Sequence, residues 1–71
     1  MQRRFEFIGG NSAKFWEVEV SGVEVTVRYG RLGSKGQMQD KAFSDDQAAS
    51  AHAEKLISEK LTKGYWEVVA A

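Results

Sequence analysis

Two neighbouring stretches alternate apolar and polar residues with a period of two. In KFWEVEV, residues 14–20, Trp16, Val18 and Val20 share one parity while Glu17 and Glu19 take the other. In VEVTVRY, residues 23–29, Val23, Val25, Val27 and Tyr29 alternate with Glu24, Thr26 and Arg28. Successive side chains of a strand point to opposite faces of a sheet, so each stretch predicts a strand with one buried face. Ser21-Gly22 separates them, the length of a two-residue primed turn in which glycine supplies a positive φ. Such a hairpin sets Glu17 or Glu19 across from Arg28 or Thr26, and opposite charges facing each other support the pairing.

The remaining elements follow from weaker signals. RRFEFI, residues 3–8, reads as a short strand, and GGNSA, 9–13, as a turn. GQMQDKAF, 36–43, reads as a fourth strand. Met38 and Ala42 share a parity there, but Asp40 lies between them and Phe43 has the other parity, so a bulge is expected. From Ser44 onward the period changes to that of a helix. Ala49, Ala53, Leu56, Ile57, Lys60 and Leu61 form a stripe at helical spacing. Ser44 with Gln47 three positions on predicts a capping box, and Asp45 and Asp46 suit the positive end of the helix dipole. Lys60 and Lys63 occupy the last turn and Gly64 ends it, giving a helix over 45–63. YWEVV, 65–69, reads as a last short strand. The predicted order β-β-β-β-α-β is an α+β fold: a single small domain, 1–71, with one antiparallel sheet and one helix packed on it.

Composition narrows the picture. The chain has 71 residues, no cysteine and one histidine, His52. Neither disulfides nor a zinc site are expected to hold it together. Stability has to come from one core of aromatic and branched residues: Phe5, Phe7, Ile8, Phe15, Trp16, the valines, Phe43, Leu56, Ile57, Leu61, Tyr65 and Trp66. Trp16 and Trp66 are expected as its anchors. No apolar run approaches the roughly 20 residues of a membrane span. MQRRFEFIGG has no long apolar stretch behind its arginines and does not read as a signal peptide, so a cytoplasmic location is expected. The formal net charge is zero, which speaks against strong nonspecific nucleic-acid binding. The balance is local, however. Between residues 28 and 41, Arg28, Arg31, Lys35 and Lys41 face the single anion Asp40, and this stretch predicts a positive surface.

Catalysis finds no constellation here. His52 sits at the edge of the apolar stripe with no nucleophile near it in sequence and reads as a boundary residue. Asp45 and Asp46 are accounted for by the helix start. GRLGSKG, 30–36, fails as a phosphate-binding P-loop, because no Gly-Lys-Ser/Thr is present and a strand follows. A non-enzymatic domain without metal or cofactor is expected. Tyr29, Gly30 and Arg31 are the distinctive residues. An aromatic at a strand end can be half core and half surface. Gly30, lacking a side chain, would let a partner approach the backbone. Arg31 and Lys35 add cations beside the ring, and an aromatic for stacking next to cations for phosphates is how single strands and nucleic-acid ends are gripped.

RYGRLGSKGQ, residues 28–37, resembles the signature of the WGR domain, named for Trp-Gly-Arg. Arg28, Gly30, Arg31, Leu32, Gly33, Gly36 and Gln37 fit it, and Tyr29 stands at the naming Trp. KFWEVEV resembles the family's Lys-aromatic-aromatic strand, and AEKLISEKLTKGYWEV, 53–68, its helix ending in lysines with a late Trp. Ala13 stands where some members have an Asn before the Lys, and Asn11 is out of register with it. WGR domains occur beside the catalytic region of DNA-damage-activated poly(ADP-ribose) polymerases and in bacterial proteins, alone or in regulators. The resemblance implies a non-catalytic nucleic-acid-binding module that recognises DNA ends or nicks. Tyr29 would stack on a nucleotide sugar, and Gly30 would permit the approach. Arg31, Lys35, Lys14 and Lys41 would hold phosphates, and Gln37 would hydrogen-bond. The alternative is a protein–protein interaction module that docks a partner protein through the Tyr29–Gln37 loop.

Overall fold

The structure, a computed structural model, describes residues 1–69. Its elements are β1 (Gln2–Gly9), β2 (Ser12–Ser21), β3 (Glu24–Arg31), β4 (Gln37–Ala42), α1 (Asp46–Thr62) and β5 (Trp66–Val68). All five strands form one antiparallel sheet in the order β4-β3-β2-β1-β5. The β2–β3 hairpin is present, with Glu17 opposite Arg28 and Glu19 opposite Thr26 as the alternation predicts. Its turn is displaced by one residue. Ser21 pairs with Glu24, so the central residues are Gly22-Val23 rather than Ser21-Gly22. Gly22 has φ +60° and no non-glycine residue among the described residues has a positive φ, which is the type II′ pattern with glycine first. Val23 therefore leaves the strand and is exposed. The expected bulge in β4 is absent: its register against β3 runs without interruption from Glu24–Ala42 to Tyr29–Gln37. Every residue of β4 is exposed, so Met38 and Asp40 can share a face without conflict.

The helix starts one residue later than the capping box implies. Asp45 is the N-cap, its Oδ1 accepting from the Ala48 backbone N–H at 2.7 Å, and Ser44 lies outside. At the other end Lys63 is the C-cap and Gly64 takes φ +99°. The Gly64 N–H donates to the Leu61 carbonyl and the Tyr65 N–H to the Lys60 carbonyl, both at 3.1 Å. This pair of bonds is the Schellman arrangement, which brings the residue after the glycine back over the last turn. Tyr65 is thereby placed beside Lys60.

One face of the sheet carries the helix. Phe5, Trp16, Val18 and Val25 pack there against Ala49, Ala53 and Ile57, and all seven are buried. The Phe5 and Trp16 rings are tilted by 52° at 5.7 Å, within the range of favourable aromatic pairs. Val20, Val27, Tyr29, Phe43, Leu56 and Tyr65 close the rim of this core. Five expected core residues lie elsewhere: Ile8, Val23, Leu61, Trp66 and Val69 are exposed. Trp66 pairs with Glu6, not with Phe5, so its indole belongs to the face without the helix. Phe15 is buried but also faces away from the helix, as alternation with Trp16 requires. Arg4 and Arg28 cover it, their guanidinium carbons 4.7 Å and 5.5 Å from the ring centroid.

Candidate nucleic-acid interface

The signature loop is built by close backbone approach. β3 and β4 are joined by residues 32–36, and the Ser34 backbone N–H and Oγ both donate to the Arg31 carbonyl, at 3.0 Å and 2.7 Å. A Cβ on Gly30 would lie 2.8 Å from Gly36 Cα and 3.1 Å from Ser34 Oγ. A Cβ on Gly36, where φ is +73°, would lie 2.5 Å from the Tyr29 carbonyl oxygen and 2.7 Å from the Phe15 ring. The space over Gly30 is therefore filled by the chain's own loop. On the side where a Cβ would project, its lack of a side chain serves folding of the loop.

Tyr29 sits opposite Trp16 on β2 and Gln37 on β4. Its ring packs on the core rim and is half-buried, at the end of the row formed by Val25 and Val27. Its hydroxyl donates to Gln37 Oε1 at 3.3 Å and accepts from Gln39 Nε2 at 3.4 Å, both long for hydrogen bonds. Beyond the ring lies a depression of about 260 Å³ lined by Lys14, Trp16, Tyr29, Arg31, Lys60 and Tyr65, with backbone from Phe15 and Gly30. Lys14 and Arg31 are cross-strand partners. Lys60 reaches in from the last helical turn, its Nζ 5.6 Å from the Trp16 ring centroid and 5.4 Å from that of Tyr65. Among the described residues none of these three cations has a carboxylate within 4 Å. Burial pushes the Lys60 ammonium below the usual lysine range; the charge of Lys63 adds to this, Glu59 pulls the other way, and Lys14 adds a smaller push downward. Three cations held close together without a carboxylate contact give the depression a positive character suited to an anion.

The predicted site residues divide. Tyr29, Gly30, Arg31 and Lys14 meet at this depression. Gln37 is attached to it through the tyrosine hydroxyl. Lys35 is exposed on the loop and lines none of the four depressions described. Lys41 pairs with Val25, four residues or about 13 Å along β4 from the Tyr29–Gln37 pair. It lines a second, larger groove of about 600 Å³ between α1 and β4, whose floor is Trp16, Val25, Val27 and Tyr29. Arg28 belongs to neither. It faces away from the helix, where its Nη2 meets Glu17 Oε1 at 2.8 Å and Arg4 Nη1 meets the other oxygen at 2.6 Å. Of the positive stretch expected between residues 28 and 41, Arg28 is lost to an ion pair, Arg31 meets Lys14 and Lys60 at the depression, and Lys35 and Lys41 lie apart from it. Sequence reasoning did not place Lys60 and Tyr65 beside these residues. The available signal was a lysine occupying a position of the helix's apolar stripe.

The domain is thus a five-stranded antiparallel sheet with one helix, with a half-buried aromatic at the sheet's end beside cations that have no carboxylate partner among the described residues. The WGR domain family matches residues 1–71, and the chain belongs to that family. It is 39% identical over 67 residues to the Escherichia coli K12 protein YfeS, covering 94% of this chain and 28% of that protein. It is 46% identical over 65 residues to YehF of the same organism, covering 92% of this chain and 24% of that protein. A crystal structure of a Bacteroides fragilis protein superimposes with a TM-score of 0.94 at 48% identity, over 97% of this chain and 20% of that one. The chain thus spans about a quarter of the length of the curated relatives it matches. The family is consistent with a nucleic-acid-binding module. No helix among the described residues is long and apolar enough to cross a membrane.

Proposed function

We propose that the domain binds DNA at ends or nicks, in the cytoplasm of a bacterium, without catalysing a reaction on it. The observation that carries this reading is the half-buried Tyr29 ring beside Lys14, Arg31 and Lys60, cations without carboxylate partners among the described residues. Tyr29 offers a ring edge and face to a terminal sugar or base, and the three cations take the adjoining phosphates. Lys35 extends the contact along the backbone, and Lys41 reaches only a longer strand. A titration against nicked, blunt-ended and circular duplex at two salt concentrations tests it. Ends and nicks bind more tightly than the circle. The log–log salt slope is roughly −0.9 for each phosphate neutralised. Tyr29→Ala weakens end binding by about one to two powers of ten with the slope unchanged, since stacking contributes roughly 1–3 kcal/mol. Lys14→Ala lowers the slope by roughly 1 on every form of DNA. Equal affinity for all three forms by the parent overturns the end preference.

A second reading is favoured by one observation, the groove between α1 and the fully exposed edge strand β4. An edge strand beside an apolar floor is suited to an added peptide strand. Docking of a partner protein there leaves a shallow salt slope and is insensitive to Lys14→Ala.

A further inference from the structure

Lys60 has more structure around it than a phosphate contact requires. The Schellman bond from the Tyr65 N–H to its own carbonyl fixes Tyr65 beside it. Its Nζ lies between two rings, 5.6 Å from Trp16 and 5.4 Å from Tyr65. It is half-buried, has no carboxylate within 4 Å among the described residues, and borders both the basic depression and the groove along β4. A lysine kept from water beside other cations spends more of its time as the neutral amine, and the neutral amine is the nucleophile toward a carbonyl. The lowered ammonium range described above agrees with that placement. Lys14 and Arg31 across the same depression supply attraction for an anionic group on the incoming molecule.

We propose that Lys60 captures aldehydes that carry a phosphate, by forming an imine within the Lys14–Arg31 depression. The Nζ lone pair bonds to the aldehyde carbon, giving a carbinolamine. The carbonyl oxygen then leaves as water, taking both protons from the amine nitrogen, and a C=N bond remains. No electrons are exchanged, so no oxidant or reductant is needed. Two sources offer this chemistry: the ring-opened sugar of an abasic site in DNA, and a free phosphorylated aldehyde. The first source rests on the nucleic-acid reading above; the second does not.

The test traps the imine with borohydride and maps it by mass spectrometry. In one arm the probe is pyridoxal 5′-phosphate. Lys60 is expected to be labelled roughly fivefold or more ahead of the exposed Lys55 and Lys35. In the other arm the probe is a duplex with one uracil excised, beside the same duplex carrying a tetrahydrofuran, which has the abasic shape but no aldehyde. Both are expected to bind, and only the first to be trapped, on Lys60. Lys55→Arg, outside the depression, should leave both duplex affinity and adduct as in the parent, while Lys60→Arg, which keeps the charge and the cover over Trp16, should lose most of the adduct. Should that variant unfold, the mapped position of the adduct on the parent chain still decides. Labelling of Lys60 by pyridoxal phosphate, with the duplex bound but not trapped, assigns the chemistry to free aldehydes. The same labelling with no duplex binding overturns the nucleic-acid reading and leaves Lys60 capture standing. Adducts spread evenly over the exposed lysines in both arms overturn the proposal, since a lysine that merely shields Trp16 would show no preference.

Discussion

Phe15 and Trp16 are neighbours in the chain and both are buried, 2% and 4% exposed, yet they are covered by opposite means. Trp16 faces the helix and packs among Phe5, Val18, Val25 and Ile57. Phe15 faces the side without a helix, where two guanidinium planes and the Gly36 backbone enclose it. The guanidinium groups are held in turn by Glu17, which bonds Arg4 through one oxygen and Arg28 through the other. The long arginine stems bury apolar surface while their heads stay in water, so a polar face encloses an aromatic without a second layer of structure. The two faces also divide the charges. Arg4 and Arg28 are spent on Glu17, whereas Lys14, Arg31 and Lys60, on the helix side, have no carboxylate partner among the described residues. The face that lacks a helix ties its charges up in ion pairs, and the cations without carboxylate partners among the described residues lie at the end of the face that has one.

The largest expected effect sets one aromatic from each face against the other, Phe5 on the helix side and Phe15 on the other. Phe5→Ala empties the middle of the helix-side core, where Phe5 is fully buried, and is expected to cost about 3–5 kcal/mol. That is a large part of the stability of any small domain. Phe15→Ala is expected to cost less, about 2–3 kcal/mol, because arginine stems can fold into the vacated space and water can reach their heads. Urea denaturation of both variants measures the difference. Equal losses would mean that the arginine cover is packed as rigidly as the helix.

Next in size is the loop that joins the two faces. Gly36 touches both the Tyr29 carbonyl and the Phe15 ring, so Gly36→Ala brings a left-handed backbone and an overlap together. A loss of about 2–3 kcal/mol is expected, with reduced protection of the Phe15 side in hydrogen exchange. Gly33→Ala has the positive φ but open space around it and should cost only about 1 kcal/mol. If both substitutions cost the same, the close approach at Gly36 contributes nothing beyond backbone strain.

Much of this arrangement is legible in the sequence, and the reasons for the rest are physical. Period two in residues 14–29 places both central strands and the Glu17–Arg28 pairing, because one face of each strand is buried and one is polar. It overruns at Val23, since an apolar side chain in a turn looks like one more strand position. Ser44 and Asp45 are both good caps, and only the backbone decides that Asp45 takes the role. The bulge predicted in β4 rests on a demand for burial that an exposed edge strand does not make. Trp66 is misplaced because a three-residue strand carries too little periodicity to fix its register. Tyr29, Arg31 and Lys14 can be grouped from the sequence because they lie on adjoining strands. Lys60 is invisible as their neighbour until the helix is laid across the sheet, a contact separated by dozens of residues.

The smallest effect tests whether the polar face is held by charge. Burial alone would raise the Glu17 carboxyl, but the hydrogen bonds and charges of Arg4 and Arg28 outweigh it and hold the group below the usual carboxylate range. A carboxylate whose folded pKa is depressed contributes stability that is complete above its unfolded value, about 4.3, and is lost as pH falls through the lower folded one. Glu17→Gln keeps the shape and removes the charge. At pH 7 it is expected to cost about 1 kcal/mol, a figure held down because Arg4 and Arg28 are a third or more exposed and solvent screens them. Below the folded pKa the parent's Glu17 is protonated as well, so the gap between parent and variant should close there. Thermal melts of both chains between pH 7 and pH 2.5 measure this. A gap that stays constant over the whole range would show that Glu17 holds the arginines by shape, and that the cover over Phe15 owes nothing to its charge.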